Sequence, residues 1–205
     1  MVDAAVQRRV ENVLAFTNTE HYRVYRGKGA TQPAAEMTVL DSYTKGAGKK
    51  YTILSESGSE IVQRYGLRPL IDNETTINKP GNAERSWITS ANYEMKLKGG
   101  PQTIKLMDGR SCYALAIKPK SKAPNLVDGT LWVDVRDGTA VRIEGIASKS
   151  PSPFAHTTHM MRQYVNIEGH AMATHARAES SSMFFGTTVV LIDYTDYHLH
   201  IRDTR

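Results

Sequence analysis

Hydrophobic and polar residues alternate with a period of two over much of this chain. Before residue 57 the alternation occupies residues 21–26, 36–43 and 50–55. Side chains on a strand point alternately to the two faces of a sheet, so this pattern is typical of strands with one buried face. Short turn-like segments separate the three runs, and we therefore predict neighbouring antiparallel strands in this part of the chain.

The alternation returns after residue 92 and is interrupted by three acidic-glycine dipeptides. These are Asp108-Gly109, Asp137-Gly138 and Glu168-Gly169. An acidic residue followed by glycine between two alternating runs favours a tight hairpin. The final run, residues 187–201, is apolar on both faces around residues 189–192. This indicates a strand that lies near the middle of the sheet.

Two segments depart from the alternation. Val6, Val10, Val13 and Leu14 lie at helical spacing, which predicts an N-terminal helix that ends near Thr17. Residues 57–88 have the pattern of a helical insertion between two runs of strands. We predict that this insertion begins at a capping box formed by the first serine and the glutamate of the sequence Ser-Gly-Ser-Glu.

These elements predict an α+β fold in a single domain that covers residues 1–205. The expected sheet is mostly antiparallel and strongly curved, a half-open β-barrel of about ten or eleven strands, because a sheet this long must curl or close. The N-terminal helix and a helical lid at residues 57–88 would lie on its concave face. So few helices would leave an apolar gap beneath the lid, and such a gap is a pocket for a hydrophobic ligand.

Two groups of apolar residues are predicted to line this cavity. They share a strand face or a helix stripe within each segment. The sheet contributes Tyr113, Leu115, Ile117, Leu131, Val133, Val141 and Ile143, and the lid contributes Ile61, Val62, Tyr65, Leu70 and Ile71.

Composition and charge narrow the classes of function. The net charge is +5 and the basic residues are spread along the chain, so no concentrated patch favours nucleic-acid binding. The single cysteine argues against a structural zinc site built from thiolates. No catalytic residue, metal ligand or cofactor is predicted, and we expect the protein not to be an enzyme.

The histidines near the C-terminus allow one alternative to a non-enzymatic binding protein. His198 and His200 are separated by one residue, which would place both imidazoles on one face of a strand. A metal-dependent enzyme that uses the C-terminal histidines is therefore an alternative hypothesis. The carboxylates near the second hairpin, Asp134, Asp137 and Glu144, are explained by turn chemistry and by an exposed strand face.

Four segments carry a resemblance to a known family. They are Asn92-Tyr93 at the start of a strand, the run Tyr-Ala-Leu-Ala-Ile-Lys-Pro-Lys at 113–120, the hairpin Gly-x-Leu-Trp-Val-Asp … Arg-Ile-Glu-Gly at 129–145, and the stretch 149–154. Together they resemble the LolA/LolB/RseB type of periplasmic lipoprotein-sorting domain.

This resemblance implies an open β-barrel with a helical lid, which binds lipid or lipoprotein acyl chains in the periplasm. Periplasmic placement assumes that an export signal has been removed. In classical carriers of this type a lid arginine helps to hold the closed state, and Arg64 and Arg68 lie in the corresponding segment. A sensor or protein-interaction module on the same fold, with a membrane or regulatory protein as partner, is a further alternative.

Overall fold

A computed structural model describes residues 1–100, 102–123, 125–149, 155–182 and 186–203. Eleven strands were found: β1 (Val13–Arg26), β2 (Ala35–Thr44), β3 (Gly48–Gly58), β4 (Tyr93–Leu97), β5 (Lys105–Met107), β6 (Arg110–Pro119), β7 (Val127–Asp134), β8 (Ala140–Ala147), β9 (Ala155–Ile167), β10 (His170–Ser182) and β11 (Gly186–Ile201). The helical elements are α1 (Val2–Asn12), α2 (Glu60–Val62), a π-helical turn (Gln63–Leu67), α3 (Arg68–Ile77) and a 3-10 turn (Ala83–Ser86).

All eleven strands belong to one antiparallel sheet. The order along the hydrogen-bonded path is β3-β2-β1-β11-β10-β9-β8-β7-β6-β4, and β5 pairs with β6. The path ends at β3 and β4, so the sheet is not closed within the described part of the chain. The predicted mostly antiparallel, open sheet of about eleven strands is confirmed, and β11 lies inside the path between β1 and β10, as its two apolar faces predicted.

The three predicted hairpin turns are also confirmed. The dipeptides lie between β5 and β6, β7 and β8, and β9 and β10. In the first and third turns both central residues have positive φ, at 49° and 75° for Asp108 and Gly109 and at 51° and 84° for Glu168 and Gly169. Two successive positive φ angles match the right-handed twist of the flanking strands, which is why an acidic residue and glycine occupy these positions.

Two predicted helix boundaries were wrong. The N-terminal helix ends at Asn12, and Val13 already pairs with Ile201 as the first residue of β1. Val13 and Phe16 have high strand propensity, and pairing with β11 overrides the helical spacing. The central helix is capped by Ser59, whose side chain accepts a hydrogen bond from the Val62 amide, because β3 continues through Gly58 and leaves Ser57 within the strand.

Both helical regions pack on one face of the sheet, which we call the inner face. It is the face that carries Phe16 and Tyr22 of β1. The Arg9 guanidinium of α1 lies 6.0 Å from the Phe16 ring centroid, and Leu67 packs in the same cluster as Tyr22. The predicted helical insertion exists, but its buried side chains pack on β1, β2 and β3, near one end of the sheet. A lid across the whole concave face is therefore not what the packing shows.

Candidate ligand-binding face

One row of directly opposed residues crosses the inner face from one apolar region to another. Directly paired residues of neighbouring antiparallel strands point to the same face. From β6 to β2 the row consists of Leu115, Leu131, Ile143, Arg162, Ala176, Ile192, Tyr22 and Met37. With strands about 4.8 Å apart, Leu131 and Tyr22 are separated by about 24 Å along the sheet.

At the β2 end of this row lies the helix-covered cluster. Its buried members are Tyr22, Val24, Ala35, Met37, Val39, Val62, Leu67 and Ile71. Val62, Leu67 and Ile71 come from the segment Glu60–Ile77, and they close the apolar surface of β1 and β2 as a helix closes a sheet. Leu70 is partly buried against the same cluster.

At the β6 end lies the hairpin cluster. Its buried members are Tyr93, Ile117, Leu126, Val127, Leu131, Val133 and Ile143. Tyr113 and Leu115 are partly buried against it, as are Met160 and Tyr164 of β9. Residues outside the sheet, Ile88 and Leu126, contribute to its cover, whereas no residue of the helices between residues 60 and 77 belongs to it.

The structure brings most of the predicted sheet residues together. Tyr113, Leu115, Ile117, Leu131, Val133 and Ile143 all lie in the hairpin cluster. Val141 does not. A register shift between Trp132 and Val133 interrupts the alternation of this hairpin, and Val141 packs with Cys112, Ala114 and Trp132 instead.

The predicted lid residues divide into two sets. Val62 and Ile71 are buried in the helix-covered cluster. Ile61 and Tyr65 are 67% and 71% exposed, so they face solvent and line no interior surface in this structure. The predicted sheet and lid residues thus occupy two separate clusters rather than the walls of one cavity.

Between the two clusters lies a central strip, which comprises the inner-face residues of β9, β10 and β11. Ala176 and Ala178 of β10 stand opposite Arg162 and Met160 of β9, and on the other side they oppose Ile192 and Val190. Ala176 is 7% exposed and Ala178 is half-buried, and we call this line of small side chains between two rows of longer ones the trough along β10. Met160, Arg162, Val190 and Ile192 are half-buried, so the walls of this trough are partly open to solvent.

Sequence reasoning missed the charged groups of the inner face. Glu20 and Asp41 are 1% and 0% exposed, and Lys49 lies between them. Its ammonium is 2.5 Å from an Asp41 oxygen and 3.6 Å from a Glu20 oxygen, and Tyr22 donates a hydrogen bond to Glu20. The alternation contained the signal, since Glu20 and Tyr22 are in phase on β1, as Asp41 and Val39 are on β2.

Lys49 is shared between two buried carboxylates, and this sharing affects the pKa values of Asp41 and Lys49. Burial is the largest effect on Asp41 and, with the neighbouring Glu20, it outweighs Lys49 and raises the pKa of Asp41 to about 6. Burial opposes the charged form of Lys49, but Tyr51, Glu20 and Asp41 outweigh it and raise the pKa of the lysine well above its usual value. The ammonium therefore stays charged at neutral pH.

Tyrosines surround these charges. Burial raises the pKa of Tyr51, Tyr194 and Tyr197 above the ordinary value for a phenol. Their hydroxyl groups are therefore neutral hydrogen-bond donors at physiological pH. The middle of the inner face thus combines apolar, phenolic and charged groups.

Two depressions elsewhere on the molecule have measurable volume. One of about 490 Å³ is lined by Met1, Ala4, Arg8, Arg136, Asp137 and Gly169. The other, of about 240 Å³, is lined by Glu60, Gln63, Arg64 and Arg68. Neither contains a residue that was predicted to line the apolar cavity. Arg64 and Arg68 lie on the helical segment as predicted, and Arg68 pairs with Glu56 at 2.6 Å.

The histidines do not assemble a metal site in the described ranges. No group of three or more metal-ligating side chains was found among these residues. His198 and His200 pair with Thr17 and Ala15 of β1 and are exposed. No helix among the described residues combines the length and the apolar character that a membrane crossing requires.

The architecture defines a class of fold. An open antiparallel sheet of eleven strands with an N-terminal helix and one central helical segment is a LolA-like fold, as the sequence resemblance predicted. The quoted stretch at 149–154 falls mainly outside the described residues.

Comparison with solved structures supports this assignment. A LolA superfamily protein from Nitrosomonas europaea matches with a TM-score of 0.50 at 12% identity, covering 100% of this chain and 93% of that protein. A domain of an outer membrane lipoprotein-sorting protein from Vibrio parahaemolyticus matches with a TM-score of 0.48 at 11% identity, covering 97% of this chain and 92% of that one. A DUF1329 family protein from Desulfovibrio piger gives a TM-score of 0.45 at 14% identity, with 97% and 91% covered.

No protein-family model matches the sequence, and comparison with curated proteins gave no match. At these identities the likeness concerns the fold, and it rests on the first of the three structures.

Proposed function

We propose that this chain binds the acyl chain of a lipid or lipoprotein along the trough on the inner face of its sheet, as a non-enzymatic binding protein of the periplasm. The observation that carries the proposal is the central strip, where Ala176 and Ala178 lie between longer side chains and the walls are half-buried. The LolA-like fold supports the proposal, because the solved structure that matches with a TM-score of 0.50 is a LolA superfamily protein.

Energetics favour an apolar guest at this position. The half-buried side chains Met160, Val190 and Ile192 border the trough, and each retains apolar surface in contact with water. Covering apolar surface contributes about 25 cal/mol per Å², so an acyl chain can contribute several kcal/mol without any directed polar contact.

Filling the trough tests the proposal. Ala178→Phe places an aromatic ring where the chain would lie, and we expect the affinity for a fluorescent fatty acid to fall by about tenfold or more, since a phenyl group displaces several methylene contacts. Ser181→Phe is the matched control, because Ser181 is exposed and lies out of phase with Ala178 on the same strand. It should bind like the wild type.

A second variant addresses the edge of the hairpin cluster. Leu115 is only partly buried, so Leu115→Glu is less disruptive than the same change at the fully buried Leu131. We expect Leu115→Glu to weaken binding, with circular dichroism as the check on folding. Unchanged affinity in a folded Ala178→Phe variant, or a wild-type protein that binds no fatty acid and carries no lipid in native mass spectrometry, would contradict the proposal.

A further inference from the structure

Arg162 stands at the centre of the inner face, and no described carboxylate forms an ion pair with it. Its position in β9 is opposite Ile143 on one side and Ala176 on the other, so its side chain lies between the two apolar clusters. Within the described part of the chain, its guanidinium forms no ion pair and no hydrogen bond. The residue is half-buried, so its donors are reachable from the trough.

Two other shielded cations of this protein are paired with carboxylates, whereas a third, Arg9, lies 6.0 Å from the Phe16 ring centroid. Arg110 lies 2.9 Å from Asp134, and Lys49 lies 2.5 Å from Asp41. A charge that is withdrawn from water without a counter-charge costs several kcal/mol, so proteins pair such groups or use them to bind an ion. Arg162 is also partly shielded, but no carboxylate of the described residues lies within ion-pair distance of it.

The groups around Arg162 keep its side chain charged. Tyr194 has the largest electrostatic effect on the arginine and, with Tyr164, Glu74 and Glu20, raises the pKa of Arg162 well above its usual value. The guanidinium is therefore permanently charged. Glu74 and Glu20 lie beyond ion-pair distance, so they leave its hydrogen-bond donors free. The neutral hydroxyl of Tyr194 adds a further donor for an anionic oxygen.

We propose that Arg162 binds the anionic head group of an amphiphile whose acyl chain occupies the trough beside Ala176 and Ala178. This inference rests on the proposed acyl-chain binding and specifies its ligand as a single-headed anionic amphiphile, with a carboxylate or phosphate oxygen on the guanidinium. A planar guanidinium holds two oxygens of either group at once. Ala176 and Ala178, with the apolar side chains beside them, then accommodate the chain along β10, and the arginine fixes its register.

Two ligands of equal chain length but different head groups distinguish the contribution of the head group to binding from that of the acyl chain. Binding of dodecanoate and of 1-dodecanol is measured by displacement of a fluorescent fatty acid. The wild type is expected to prefer dodecanoate by about tenfold to hundredfold, the range of a hydrogen bond to a charged group. Arg162→Met keeps the length of the side chain and removes its charge, and it should bind both ligands equally while retaining the affinity for dodecanol.

Two further variants test whether the preference for dodecanoate depends on the position and on the shape of the Arg162 side chain. Arg177→Met makes the same change on β10 between Ala176 and Ala178, where the side chain points to the other face, and it should keep the wild-type preference. Arg162→Lys retains the charge without the planar fork, and it should retain a weakened preference. If Arg162→Met does not fold, this second variant carries the test.

Three results would overturn the inference. They are equal binding of the two ligands by the wild type, an unchanged preference in folded Arg162→Met, and displacement of dodecanoate by acetate or inorganic phosphate at equal concentration, which would mark a site for small anions. In the first two cases the proposed acyl-chain binding would stand without the head-group site. Failure of the wild type to bind either ligand would instead remove the proposed function itself.

Discussion

The two ends of the inner face are closed in different ways. The helix-covered cluster is sealed by Val62, Leu67 and Ile71, which follow one stripe of a helical segment. The hairpin cluster is covered mainly by residues from irregular segments, such as Ile88 and Leu126, together with Val2 of α1. A helical cover has a period that can be recognised in the sequence, whereas a cover made of loops has none. For this reason the sequence predicts the helical cover but not the cover formed by Ile88 and Leu126.

Two carboxylates, Asp41 on the inner face and Asp134 opposite Cys112 on the other face, are buried with opposite consequences. Asp41 shares a single lysine with Glu20, and its pKa is raised to about 6. Asp134 is 1% exposed and receives hydrogen bonds from Arg136 and Arg110, which lower its pKa despite the opposing effect of burial. The number of donors per carboxylate, rather than burial alone, decides the direction of the shift.

The largest expected effect is a loss of folding stability when a buried leucine is truncated at either end of the inner face, which tests whether both ends are packed cores. Leu67 and Leu131 are 1% and 0% exposed, so Leu67→Ala and Leu131→Ala should each lower the free energy of unfolding by about 3–5 kcal/mol in urea denaturation. Leu106→Ala, at a residue that is 75% exposed, should change it by less than about 0.5 kcal/mol. A small effect of Leu131→Ala would mean that the hairpin cluster surrounds an open void.

A smaller effect is expected in the pH dependence of stability, where Asp41 and Asp134 should act in opposite directions. The folded state binds a proton at Asp41 more tightly than the unfolded state does, so this contribution to stability is complete below about pH 4 and is lost as the pH rises through about 6. Its full size is about 3 kcal/mol, from a shift of about two pKa units. Asp41→Asn should remove this dependence in urea denaturation across pH 4–7.

Asp134 should behave in the opposite sense. Its pKa is lowered in the folded state, so its contribution is present above the unfolded pKa of about 4 and is lost as the pH falls through the folded value. Asp134→Asn should therefore cost most at neutral pH and least in acid. Parallel stability profiles for the wild type and both variants would show that neither carboxylate titrates as its partners indicate.

The smallest effects concern one glycine from each end. Gly129 opposes Gly145 across β7 and β8, and a Cβ at Gly129 would lie 2.1 Å from the carbonyl oxygen of Glu144. Gly129→Ala should destabilise by about 1–3 kcal/mol, because backbone must move. Gly66 is an exposed helical residue whose added Cβ would meet only Val62, at 3.7 Å, so Gly66→Ala should stabilise by about 0.4–1 kcal/mol in the same measurement. Equal effects would indicate that β7 and β8 are not closely apposed.

Local patterns predicted much of the fold. The acidic-glycine turns, the position of β11 and the interruption of the sheet by helices all depend on residues that are close in sequence. The shared face of Leu115, Leu131 and Ile143 followed from alternation within a hairpin. Each of these features is fixed by a period or by a turn, so no distant contact is needed to infer it.

The features that the sequence predicted wrongly depend on strand register and on packing between distant residues. One bulge between Trp132 and Val133 moved Val141 to another cluster, and no local signal marks that bulge. Val13 favoured a helix by its spacing but became strand through pairing with β11. Ile61 and Tyr65 continue an apolar run, yet the helix turns them to solvent because Val62 and Leu67 fill the surface beneath it.

The sequence by itself determined the antiparallel sheet, its three tight turns and the place of the helical segment, because hydrophobic period and backbone preference act over a few residues. Only the tertiary structure decided that Arg162 stands in a row with Leu131 and Tyr22, since that alignment depends on the register of six strands at once. It likewise decided that Glu20, Asp41 and Lys49 meet on one face. Charges that are scattered along the chain become a site only when the sheet sets them side by side.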